Sequence, residues 1–186
     1  MDAVFQFTLP PECECLGSAV SFADDIHQIL SRTPLLESLD LNDTQLLCNH
    51  MTCFSAPRGC MLLHQGDTSG FMLILLTGRA ELLLTDESGA DHSMASLGPG
   101  RTIGEMSMID QTPHSVSCVA QEPVDVVVLT REAFRDILLT MPRLGNKLML
   151  AVMHSLAERL HRAQFDLMHQ WPKSAPPWSA TIPGPL

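Results

Sequence analysis

The chain has 186 residues, a formal charge of −10 at pH 7 and 45% hydrophobic side chains, enough apolar material for the core of one good-sized domain. Such an acidic chain lacks the basic face with which general nucleic-acid binders displace counterions, and no apolar run approaches the roughly 18–20 residues that span a bilayer. The first residues carry an early acid and no basic flank, so no secretory signal is expected. The six cysteines (Cys13, Cys15, Cys48, Cys53, Cys60 and Cys118) show no C-x-x-C pair. Reduced thiols in a cytoplasm are therefore expected.

Residues 1–20, with Pro10 and Pro11, read as a flexible tail. Phe22, Ile26, Ile29 and Leu30 then recur at helical spacing as far as Pro34. A second short helix follows, with Asn42 as predicted N-cap and Gln45 three residues on, a capping-box spacing. From about residue 53 the texture changes. Glycines at 59, 66, 70, 78, 89, 98, 100 and 104 separate apolar runs too short for helices, the rhythm of an all-β sandwich or jelly roll. Residues 88–90 suggest a hairpin tip, and 116–120 and 124–129 add two strands.

Thr130 is the predicted cap of a helix with Phe134, Ile137 and Leu138 on one side, and Pro142 is the predicted start of a long helix over 142–170. Within it Met149, Met153, Leu156, Leu160, Ala163 and Leu167 alternate at four- and three-residue steps, the seam of a coiled coil. Leu144, Leu148 and Val152 form a second apolar row. Two rows imply two partners: the helix's own domain and, through the seam, a second copy of the chain, so a homodimer is expected. Residues 171–186 hold five prolines and two tryptophans and predict an extended tail.

Several of these features coincide with a known pattern. Gly59, "QGD" at 65–67, "FMLILLTGRAEL" at 71–82, "LGPG" at 97–100, "IGEMSMIDQTPHS" at 103–115, Ala120, Phe134 and Pro142 resemble the cyclic-nucleotide-binding domain family over roughly residues 35–165. The likeness is to its branch of bacterial regulators related to the catabolite activator protein. The resemblance implies a mainly β fold with flanking helices: an eight-stranded jelly roll over 21–141, with helices at its start, followed by a long dimerisation helix. It implies that backbone amides around Gly104, Glu105 and Met106 face a cyclic phosphate, and that Glu105 accepts a hydrogen bond from the ribose 2′-OH. His114 stands where the family places a phosphate-binding arginine, with Ser115 as the small hydroxyl residue beside it. On the long helix, Ser155 and Arg159, or residues one turn away, would approach the base.

Arginine suits a buried phosphate because its planar fork is always charged and pairs bidentately; histidine brings fewer donors and loses its charge near neutrality. Two outcomes follow from His114. One is a weakened or altered site for cyclic AMP or cyclic GMP, in which bound phosphate makes His114 a conditional cation. The other is a degenerate pocket on a protein-interaction module. The regulators continue into a helix-turn-helix domain, whereas few and proline-rich residues follow the long helix here, so action through an effector protein is expected and operator binding is not.

The remaining features point away from chemistry. The eight histidines form no His-x-His or His-x-Glu strand pair, so no metal is expected. "ECEC" at 12–15 has the wrong spacing for an iron–sulfur cluster, which leaves a thiol or redox sensor as a lesser alternative. No catalytic triad, P-loop or paired carboxylates appear, so an enzyme is not expected.

Overall fold

The computed structural model of the protein describes residues 9–33 and 39–170. The expected tails over 1–8 and 171–186, with Trp171 and Trp178, lie outside the described residues. In chain order the elements are β1 (Glu14–Ser18), a 3-10 turn (Ala19–Phe22), α1 (Ala23–Leu30), α2 (Leu41–Cys48), β2 (Met51–Ala56), β3 (Met61–Leu63), β4 (Phe71–Leu75) and β5 (Ala80–Thr85). Then come β6 (Asp91–Leu97), β7 (Thr102–Ile103), α3 (Glu105–Asp110), β8 (Ser117–Ala120), β9 (Val124–Thr130), α4 (Arg131–Thr140) and α5 (Pro142–Gln170). The strands form two antiparallel sheets, β1-β2-β9-β4-β7 and β3-β8-β5-β6. No helix among the described residues is long and apolar enough to cross a membrane.

Strands β4 and β9 explain why the roll has two cores. Successive side chains of a strand point to opposite faces. Phe71, Leu73 and Leu75 of β4 join Val124, Val126 and Val128 of β9 in the core between the sheets. The alternate residues Met72, Ile74, Val127 and Leu129 face Ile26, Leu47, Phe134, Ile137, Leu144 and Leu148 of the helices. Both faces are covered, so both strands read as nearly continuous apolar runs rather than alternating ones.

Three expectations need correction. Among the described residues the roll has nine strands rather than eight, because part of the expected tail, Glu14–Ser18, pairs antiparallel with β2. Asn42 is not the cap of α2: Asp40 is, its carboxylate accepting from the Asp43 amide at 2.8 Å while Asp43 accepts from the Asp40 amide at 3.2 Å. Two neighbouring acids close the reciprocal box by themselves, and the helix starts earlier. The hairpin tip is wider than residues 88–90, since Asp86 organises it by accepting from the Ser88 and Ala90 amides.

Thr130 does cap α4, its hydroxyl accepting from the Ala133 amide, and Pro142 does open α5. Helix α5 has 29 residues, a length of about 43 Å. Its first half is buried along Leu144, Leu148, Ala151 and Val152, and from Ala157 to Asp166 every residue is exposed. Of the expected seam, Met149 is half-buried against the helical core, Leu156 is half-buried, and Met153, Leu160 and Ala163 are exposed. The Leu167 side chain lies outside what is described.

Candidate functional site

The helix α3 sits between β7 and β8 and forms one wall of a cleft. Gly104 starts it in the left-handed region (φ 87°), and a Cβ there would stand 2.8 Å from the Phe71 carbonyl oxygen. Only glycine fits that turn. The turn directs Glu105 inward and Met106 outward: Glu105 is 1% exposed and Met106 51%. At the other end Arg131, the first residue of α4, reaches under the helix and donates to the Ser107 and Met108 carbonyls at 2.5 and 3.1 Å. The Ser107 carbonyl also accepts from the Gln111 amide at 3.1 Å, so Arg131 adds a second donor at the end of the short helix.

The return loop is tied to the turn at 64–67. The His114 amide donates to the Asp67 carbonyl and the Gly66 amide donates to the His114 carbonyl, both at 2.9 Å. His114 is 6% exposed. Its Nε2 meets the Ser69 hydroxyl, and its Nδ1 lies 3.0 Å from the Ser107 hydroxyl, which in turn lies 3.0 Å from the Gly104 carbonyl. One neutral tautomer satisfies every group. Ser107 O–H donates to Gly104, Nδ1–H donates to Ser107, and Ser69 O–H donates to Nε2. Burial pushes the His114 pKa below its ordinary value, with Asp67 pulling the other way. The expected conditional cation is therefore a wall residue whose nitrogens are both engaged.

The cation in the cleft comes from elsewhere. Arg159 of α5 extends back over α3 and places Nη1 2.5 Å from Glu105 Oε1, while its Nη2 donates to the Thr102 carbonyl. Ser155, one helical turn earlier, sits 3.4 Å from the Thr102 hydroxyl. Among the described residues neither Glu105 oxygen receives a directed hydrogen bond, so the ion pair leaves most of the acceptor capacity of the carboxylate unused. Burial pushes the Glu105 pKa up, and Arg159 pulls it partly back.

The cavity enclosed between these groups is only about 60 Å³ and opens to solvent, below the roughly 300–1,000 Å³ of small-molecule sites, so a ligand here also occupies the open mouth. Gly104, Glu105, Met106, His114 and Ser115, all expected at the site, line it, together with Arg159. Ser115 is exposed beside the mouth. Ser69, Ser107 and Arg131 were not expected; nothing in the sequence pairs Ser69 with His114, 45 positions away.

Comparison with known proteins places these features. The family model of the cyclic nucleotide-binding domain matches residues 54–141. A cyclic nucleotide-binding domain from Methylobacillus flagellatus, solved as a crystal structure, is 34% identical with a TM-score of 0.79, over 89% of this chain and 93% of that one. The cyclic AMP receptor protein of Thermus thermophilus is 29% identical over 135 residues, 73% of this chain. The cAMP-dependent protein kinase regulatory subunit of Blastocladiella emersonii is 26% identical over 109 residues, 59% of this chain. The chain spans 61% of the receptor protein's length and 27% of the kinase subunit's.

Proposed function

Because the chain belongs to the cyclic nucleotide-binding domain family, we propose that it is a sensory module whose cleft takes a cyclic nucleotide or a nucleoside relative, and whose long helix passes the state of the cleft to a protein partner. One contact carries the reading: the Glu105–Arg159 pair joins the cleft to α5. A ligand hydroxyl that donates to Glu105 competes with Arg159 for the same carboxylate. Its binding then differs between two positions of the arginine, which is the condition for a ligand to shift a helix.

The family arginine is absent, and that fixes the strength. A charge-assisted pair to a desolvated phosphate is worth about 2–5 kcal/mol, tens to thousands of fold in affinity. Cyclic AMP and cyclic GMP are therefore weak ligands of this cleft. Titration calorimetry with cyclic AMP, cyclic GMP, adenosine and guanosine at pH 6 and pH 8 tests the reading. Heat from at least one of them that disappears in Glu105→Ala is expected. No heat from any of the four at millimolar ligand, with the protein folded, rejects it and leaves the interaction module with a degenerate pocket.

The same reading makes the protein a homodimer through the α5 seam. Met153 and Leu160 are 56% and 59% exposed on one chain, and a/d side chains at this spacing are buried by a second helix. Sedimentation at micromolar concentration is expected to give a dimer for the wild type and a monomer for Met153→Glu combined with Leu160→Glu. A wild-type monomer contradicts the seam.

A further inference from the structure

We infer that the cleft prefers an uncharged nucleoside, with its ribose hydroxyls free, over the corresponding 3′,5′-cyclic phosphate. The inference deepens the reading of the cleft given above and rests on it. Its first support is the demand of Glu105. The carboxylate is 1% exposed, lines the cleft, and receives no directed hydrogen bond among the described residues. A buried acceptor of this kind is costly until donors reach it. A ribose with free 2′ and 3′ hydroxyls offers two O–H donors side by side, one for Oε2 and one that shares or takes over Oε1, which Arg159 now faces. In a 3′,5′-cyclic phosphate the 3′ oxygen is esterified and only the 2′ hydroxyl remains to donate.

The second support is charge. Arg159 is the one always-charged cation lining the cleft among the described residues, and it is already paired with Glu105. Arg131 is spent on the Ser107 and Met108 carbonyls. His114 occupies the place of a phosphate partner, but both its nitrogens are taken by the Ser69 and Ser107 hydroxyls, and it lies in a buried wall. Glu105 and Arg159 sum to zero. A neutral nucleoside keeps that balance, whereas a phosphate adds a negative charge beside a buried carboxylate, and the lining cation, Arg159, meets it only by leaving Glu105. A site discriminates as much by leaving the wrong partner's charge unpaired as by contacts to the right one.

Affinities of the 186-residue chain for adenosine, guanosine, their 3′,5′-cyclic phosphates and 3′-deoxyadenosine test this. At least one nucleoside is expected to bind about tenfold or more tighter than its own cyclic phosphate. Removing the 3′ hydroxyl is expected to cost about tenfold, the worth of one hydrogen bond to a charged group. In His114→Arg the cyclic phosphate is expected to gain on the nucleoside. If that variant does not fold, the ligand series on the wild type decides. A cyclic phosphate that binds as tightly as its nucleoside, or tighter, overturns the inference and leaves the reading of the cleft standing. Nucleoside binding indifferent to the 3′ hydroxyl overturns the diol on Glu105. Silence from every compound overturns both.

Discussion

The two cores of the roll spend polarity very differently. Beneath the helices, Ile26, Leu47, Phe134, Ile137 and Leu144 pack with a few buried hydroxyls: Thr102, which lines the same apolar cavity beside Ser155, and Thr44. The Thr44 hydroxyl is settled against His27 and the Asp40 carbonyl. Around the cleft stand Glu105, Ser107 and His114, all buried, with Ser117 accepting from the Gln65 amide of the turn beside it. Burying polar groups stabilises nothing unless every one is partnered. The helical core is built to hold the fold together, and the cleft wall is built to hold a carboxylate and an imidazole where solvent does not reach them. Apolar packing thus fills both faces of the five-stranded sheet, and the buried carboxylate and imidazole sit at the margin of the core between the sheets.

Variants can break that division. The largest effect is expected in the helical core, where Ile137→Ala should cost about 2–5 kcal/mol in urea unfolding at any pH near neutrality, since it leaves only a cavity. In the cleft wall, Ser107→Ala should cost about 1–3 kcal/mol, because Nδ1 of His114 loses its partner while staying buried. The smallest effects are slopes rather than losses. Burial lowers the His114 pKa, so the unfolded chain takes up a proton first as pH falls below the ordinary 6.5. Stability should decline in that window, and His114→Gln should flatten the decline. Burial raises the Glu105 pKa above 4.5. The folded state therefore binds more protons there, and stability should fall as pH rises through the folded value. Glu105→Gln should remove that fall. Equal pH slopes in wild type and both variants, read by thermal unfolding from pH 4 to 8, would contradict the assignment of polarity to the cleft.

The sequence made local and periodic features legible, and hid contacts set by register. The apolar runs of β4 and β9, the Thr130 cap, the Pro142 start and the buried row of Leu144, Leu148 and Val152 each follow from residues near one another in the chain. Gly104 and Glu105 were reached through the family resemblance, and the left-handed turn before α3 is the physical reason glycine fits there. β1 was not: two prolines and a pair of cysteines look like a tail, and what makes the segment a strand is Glu14 facing Ser55 and Ser18 facing Thr52. The surroundings of His114 were hidden for the same reason, since Ser69 and Asp67 reach it only once the 64–67 turn is paired with the return loop. The sequence flagged Arg159 as a residue near the base; its grip on Glu105 depends on how α5 lies across β7.

The added strand has a consequence for handling the molecule. β2 would otherwise end its sheet with a row of unmet amides and carbonyls, an invitation for another chain to pair on. β1 occupies that row, and its own outer side is kinked by a bulge between Cys15 and Gly17, where Gly17 adopts φ 101°. Such a kink discourages the next strand from adding. A fragment cut at residue 54, where the family match begins, would lose β1 and half of β2 and lay bare the valine-rich flank of β9. Stickiness in that fragment would be a property of the cut, not of the intact chain.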